Sequence, residues 1–156
     1  MNSLVLIALL WIPAIGCVCI NGWVNHNGSC YHFSHDKEQM TGAMYMCNVM
    51  GGRLVEIYDK PKMDYLSRIA SLFDRNFWIG LNGGQSQNLW VWLDSKRTLQ
   101  NTVYTGWDVG QPNTTGYNHY CVGLGFGTGK WRVVNCFDEM HFICESPDVV
   151  GPIIIG

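Results

Sequence analysis

The sequence predicts an α+β domain, and three observations carry that prediction. Two stretches in the first half place apolar residues at helical spacing. Short, bounded apolar runs of strand length flank them and close the chain, and a long polar segment without periodicity separates the early runs from the last three. A chain of 156 residues, 47% hydrophobic and 14% charged, suits one globular domain. A formal net charge of −2 with no basic stripe excludes a nucleic-acid-binding class.

Leu4 to Ile12 is an apolar run too short to span a bilayer, and Ala14 and Gly16 follow it with small-x-small spacing. Only Met1, Asn2 and Ser3 precede the run, so the usual positive flank is missing, but Pro13 argues against a buried strand. The reading is a secretory signal peptide over residues 1–16, cut after Gly16 or, as the alternative, after Cys17. A domain over 17–148 and a short apolar tail over 149–156 follow. The tail is too short for a membrane span, so the chain is expected to be secreted and extracellular.

Secretion governs how the seven cysteines read, because an exported chain keeps disulfides. None has the C-x-x-C spacing of a zinc ribbon, and six of the seven can form three bridges in about 15 ways. Cys17, the seventh, leaves with the signal or survives to link two chains as a homodimer.

Cys19 to Phe33 alternates apolar and polar residues around Asn27-Gly28, a two-residue turn signal, which predicts a hairpin. Asn27-Gly28-Ser29 is also a glycosylation sequon. Ser34 and Asp36 offer helix N-caps ahead of Met40, Ala43, Met44, Cys47 and Met50, a helical stripe that Gly51-Gly52 stops. With Cys47 on that stripe, its bridge must be buried and must tie the helix to the core. Arg53 to Ile57 predicts a short strand. Asp59 and Pro61 open a second helix with Met63, Leu66, Ile69, Ala70 and Phe73 inward. Phe77 to Leu81 reads as a strand; from Asn82 to Asn118 only Leu89 to Leu93 looks regular, and so long a loop points to function. Tyr120–Phe126, Trp131–Val134 and Met140–Cys144 predict three closing strands.

In this order (a Cys-x10-Cys hairpin, a helix with one cysteine, Gly-Gly, Leu-Val-x-Ile, a second helix, Trp-Ile-Gly-Leu, a long loop with a proline tip, and a last cysteine trio) the chain resembles the C-type lectin-like domain family over Cys19 to Glu145. It is most similar to secreted single-domain lectins, including perlucin-like proteins. The resemblance implies a C-type lectin-like fold, with two helices packed on small antiparallel sheets, a long irregular loop and three disulfides: Cys19–Cys30, Cys47–Cys144 and Cys121–Cys136. It also implies carbohydrate binding through a calcium ion at the loop.

Carried over residue by residue, the calcium motif departs from the family. Gln111 and Asn113 keep neutral amide oxygens, His119 stands in the place of an acid, and Trp131-Arg132-Val133 replaces Trp-Asn-Asp. Calcium takes six to eight oxygens, several from carboxylates. An arginine about 4 Å from a dication costs on the order of 8 kcal/mol at an effective dielectric of ~20. Calcium is therefore expected to be weak or absent at the sugar site. Gln111, Asn113, Tyr117, His119 and Arg132 are the candidate ligand-binding residues, with Trp107 or Tyr104 to stack on a sugar face, while Trp78, Trp90, Trp92 and Trp131 fill the core. Asn113-Thr114-Thr115 is a second sequon, whose glycan would cover the pocket.

Gly123 to Lys130 fails as a phosphate loop, since Trp131 follows the lysine and no helix comes after. His119 and His141 lack companion zinc ligands once the cysteines are bridged. Asp138 and Glu139 are adjacent and read as facing opposite ways on a strand, and no nucleophile motif is present, so an enzyme is not expected. The expected function is glycan recognition, microbial or self; the alternative is calcium-independent binding of a protein partner or mineral surface on the same scaffold.

Overall fold

A computed structural model describes residues 19–20, 22–83, 89–116 and 119–147. The expected signal peptide, Cys17, Tyr117 and the apolar tail lie outside the described residues.

The chain runs β1 (Val24–His26), β2 (Ser29–Phe33), α1 (Met40–Val49), β3 (Arg53–Leu54), α2 (Lys60–Phe73), β4 (Phe77–Gly83), β5 (Trp90–Trp92), a 3-10 turn (Leu99–Asn101), β6 (Tyr120–Gly125), β7 (Lys130–Asn135) and β8 (His141–Pro147). Strand order is β1-β2-β8-β4-β6-β7, with β3 on β8 and β5 on β4. Every pairing is antiparallel except β4 with β8, which run parallel at Phe77↔His141 and Trp78↔Phe142. The closing strand β8 thus joins the terminal hairpin to the upper strands.

Local chemistry explains most of these elements. Asn27 (φ 49°) and Gly28 (φ 76°) make the hairpin turn, which needs the left-handed region at both positions. The Asp59 carboxylate caps α2 by accepting from Lys62 N–H at 2.8 Å, and a proline sits in the first turn. Tyr65 joins Met63, Leu66 and Ala70 on the buried face, whereas Phe73 is 49% exposed, edge-on to Phe33 and tilted against Phe77.

Three sequence expectations need correcting. Residue Gln39, not Ser34 or Asp36, is the N-cap of α1; the Ser34 hydroxyl accepts from Phe142 N–H and donates to Asp36 O, so it clasps β8 instead. The strand expected over 53–57 stops at Leu54, because Val55 bonds to Ile143 O and Gly80 N–H rather than to one continuous partner. Asp138 and Glu139 lie in the turn between β7 and β8, both exposed, and not on a strand.

The core falls into two clusters. One gathers α2, Trp92, Trp131, Leu81 and Val122, with Tyr104 and Trp107 of the long loop against it. The other holds Trp23, α1 and Trp78 together with Cys47, Cys121 and Cys144. The three bridges are Cys19–Cys30, Cys47–Cys144 and Cys121–Cys136, the pairing the resemblance implied. Among the described residues no helix is long and apolar enough to cross a membrane.

Candidate functional site

The long loop is fixed at its base before its tip is reached. Trp131 N–H donates to Gly106 O (2.9 Å), Asp108 N–H donates to Trp131 O (3.0 Å), and Trp107 pairs in parallel with Trp131, so residues 106–108 lie beside β7 like one more short strand. Gly106 permits this approach: a Cβ there would meet Trp131 Cε2 at 2.7 Å. Trp107 sets its ring edge-on to Trp90 (4.9 Å) and Trp131 (5.7 Å), and Tyr104 meets Trp131 edge-on at 6.0 Å. Both rings are half-buried against the core, which commits much of the surface that could stack on a sugar.

Asp108 is the hub of the loop. Its Oδ2 accepts from Arg132 Nε (2.7 Å) and Thr128 Oγ1 (3.0 Å) and lies 2.6 Å from an Arg132 terminal nitrogen; its Oδ1 accepts from Val109 N–H (2.8 Å). Gln111 N–H closes the turn on Asp108 O at 3.0 Å. The guanidinium also covers the Phe126 ring, 5.6 Å from its centre. Hydrogen bonds from Arg132, Val109 and Thr128 hold the Asp108 carboxyl below its ordinary range.

At the tip the Gln111-Pro112 peptide is cis. Gln111 Oε1 accepts from Asn113 N–H (3.1 Å) and from Val133 N–H on β7 (3.0 Å), and Asn113 Oδ1 accepts from Thr115 N–H (3.0 Å). Both carboxamide oxygens therefore shape the loop, and the amide NH2 groups are the donors these side chains retain. His119 is exposed and meets Phe137 edge-on at 5.2 Å. The structure thus gathers Gln111, Asn113 and Arg132 around Asp108 and β7, and sets His119 beside Phe137 past the far end of the β6–β7 ladder.

This donor set does not match what calcium takes. The carboxylate nearest the tip already carries a guanidinium, both lone pairs of the Gln111 oxygen hold backbone amides, and among the described residues no three His, Cys, Asp or Glu side chains are grouped to hold a metal.

A second polar cluster lies beneath α2 and escaped the sequence reading. Glu56 is fully buried and Glu145 is 4% exposed. Glu56 Oε1 accepts from Asp94 and Ser95 N–H (both 3.0 Å), and its other oxygen takes the Tyr58 hydroxyl, which also lies 2.9 Å from Ser95 Oγ. Lys62 Nζ donates to Glu56 O (3.0 Å) and to the Glu145 carboxylate. Burial first, then the Glu56 carboxylate, push the Tyr58 hydroxyl up to about 12. Unfolded tyrosine deprotonates near 10. Between those values the folded state holds the extra proton, so the contribution of Tyr58 is complete below pH ~10 and is lost as pH climbs through ~12. Urea melts at pH 9 and 11.5 should show this loss. Tyr58→Phe should shrink it without abolishing it, since Tyr31 is raised too, by burial and by Glu145.

Fold and site together define a C-type lectin-like recognition domain. Residues 36–146 match the family described as Lectin C-type domain, and the chain belongs to that family. It is 34% identical over 134 residues to C-type lectin lectoxin-Lio1 of Erythrolamprus poecilogyrus, covering 82% of this chain and 80% of that one. It is 31% identical over 150 residues to a C-type lectin mannose-binding isoform of Notechis scutatus scutatus, covering 92% of each. Among solved structures, the mouse scavenger receptor C-type lectin carbohydrate-recognition domain superposes with a TM-score of 0.75 at 28% identity, over 86% of this chain and 100% of that one.

Proposed function

We propose that the mature chain is a secreted glycan-recognition protein that binds sugars through the long-loop face without calcium. The observation that carries this reading is the Asp108–Arg132 pair, 2.6 Å apart, which puts a tethered cation at the base of the loop whose tip presents Gln111 and Asn113. Relatives bearing the names mannose-binding lectin and carbohydrate-recognition domain support the sugar half of the proposal. In it, the Gln111 and Asn113 amides, His119, Tyr117 and the exposed edge of Arg132 donate to sugar hydroxyls. Export by cleavage after Gly16 and a glycan on Asn27 belong to the same proposal; a glycan on Asn113 occupies that amide and closes the tip in the molecules that carry it, leaving the rest able to bind.

A second reading, a protein partner on the same face, is favoured by Val103, Val109 and Phe137, which are 106%, 98% and 59% exposed. A glycan array run with and without chelator, on wild type and on Thr115→Ala, which removes the sequon and keeps the Asn113 side chain, separates the readings. Binding unchanged by chelator and strengthened by Thr115→Ala is the expected result. Chelator-sensitive binding refutes the calcium-free site, and silence of both forms on every sugar leaves the protein partner.

A further inference from the structure

The side-chain oxygens of Asp108, Gln111 and Asn113 all accept hydrogen bonds from within the chain: from Arg132, Thr128 and Val109, from Asn113 and Val133, and from Thr115. What these side chains and Arg132 keep for a ligand is N–H groups. A sugar hydroxyl set on donors alone accepts well, but its own proton then has only water to turn to. An oxyanion has no proton to place, and a charged acceptor makes the stronger bond.

Arg132 marks where such an oxyanion would sit. Its Nε and one terminal nitrogen both lie on Asp108 Oδ2, at 2.7 and 2.6 Å, so one side of the planar fork is taken. The Phe126 ring backs the guanidinium at 5.6 Å. The end of the fork, with N–H groups of both terminal nitrogens, has no partner among the described residues, and the side chain is 41% exposed. A carboxylate or sulfate accepts two parallel N–H bonds from an edge of that shape.

Asp108 balances the charge of Arg132, so any surplus has to come from a neighbour. Lys130 stands two residues earlier on β7, so its side chain leaves the same face of the strand, about 7 Å along. It is exposed and makes no ion pair among the described residues. The residues opposite Lys130 and Arg132 on β6 are Gly125 and Gly123, so β6 sets no carboxylate across from either cation.

We infer that the long-loop face selects acidic glycans, seating a sugar carboxylate or sulfate on the free edge of Arg132 with Lys130 beside it. This rests on the sugar-binding reading of that face and states which sugars it takes. The Gln111 and Asn113 amides then hold neighbouring sugar oxygens. The chain carries a formal net charge of −2, so bulk attraction does not draw in polyanions and the preference comes from this patch. Exposed charges are screened, so acidic binding weakens with salt while binding of a neutral sugar hardly changes.

The test uses secreted chain carrying Thr115→Ala, which keeps the tip free of glycan, on an array of matched glycans with and without sialic acid, uronic acid or sulfate, in chelator. Acidic members should bind about tenfold more tightly than their neutral partners, and about 0.5 M salt should remove most of that margin. A margin held by the carboxylates alone, or by the sulfates alone, supports the proposal and names the group. Lys130→Gln should cut acidic binding about two- to fivefold and leave neutral binding unchanged. Arg132→Lys, which keeps the charge and loses the fork, should cut it further, with tryptophan fluorescence confirming the fold. Lys60→Gln removes the same charge on α2 and should change neither. Equal binding of acidic and neutral partners, or an acidic margin indifferent to Lys130→Gln and Arg132→Lys, overturns the proposal and leaves the sugar reading standing. Silence toward every glycan overturns both.

Discussion

Replacing Cys47 and Cys144 together by alanine should lower the unfolding free energy by about 4–5 kcal/mol. The bridge closes a loop with a sequence separation of 97, against 15 for Cys121–Cys136, where the same chain-entropy argument gives about 3 kcal/mol. Both cysteines are fully buried, in the cluster that seats α1 on β8, so the substitution also removes packed sulfur from the core. A domain of this size has only about 5–15 kcal/mol in total, which places the double variant at the edge of folding at 37 °C. Urea titration with fluorescence of the buried tryptophans measures it. A loss no larger than that of Cys121→Ala/Cys136→Ala would show that the long bridge does not dominate.

Lys62→Met should cost about 3–5 kcal/mol, the penalty of stranding a buried charge. Its side chain is 19% exposed and its partner Glu145 5%, and Lys62 also donates to the Glu56 carbonyl. Lys60 offers the contrast: its ion pair with Asp64 is 71% and 61% exposed and screened by solvent, so Lys60→Met should leave stability nearly unchanged. Adding Glu145→Gln to Lys62→Met should recover much of the loss, because the remaining side chain is then neutral. Equal, small losses for the two lysine variants in denaturant melts would mean that the Glu56–Glu145 cluster is hydrated and contributes little.

The fold was legible wherever the signal was local. Asn27-Gly28 dictates its own turn, Asp59 and Pro61 start α2, and the stripe bearing Cys47 says which side of α1 is buried. It failed where a side chain answers to a distant partner. Ser34 reads as a cap but serves Phe142, 108 residues away. The candidate site was half legible: the Gln111-Pro112-Asn113 tip shows in the sequence, whereas Asp108 does not announce itself, because Arg132 lies 24 residues on, across a loop with no periodicity. Lys62 and Glu145, 83 apart, were hidden for the same reason.

The clamp between Asp108 and Arg132 has an environmental consequence. A free ion leaves when its concentration falls; a guanidinium covalently part of the chain cannot be diluted. Its carboxylate partner is held below the usual range, so acidification reaches it late. The loop base is therefore held by charges the chain itself carries, and mild acidity leaves that clamp in place.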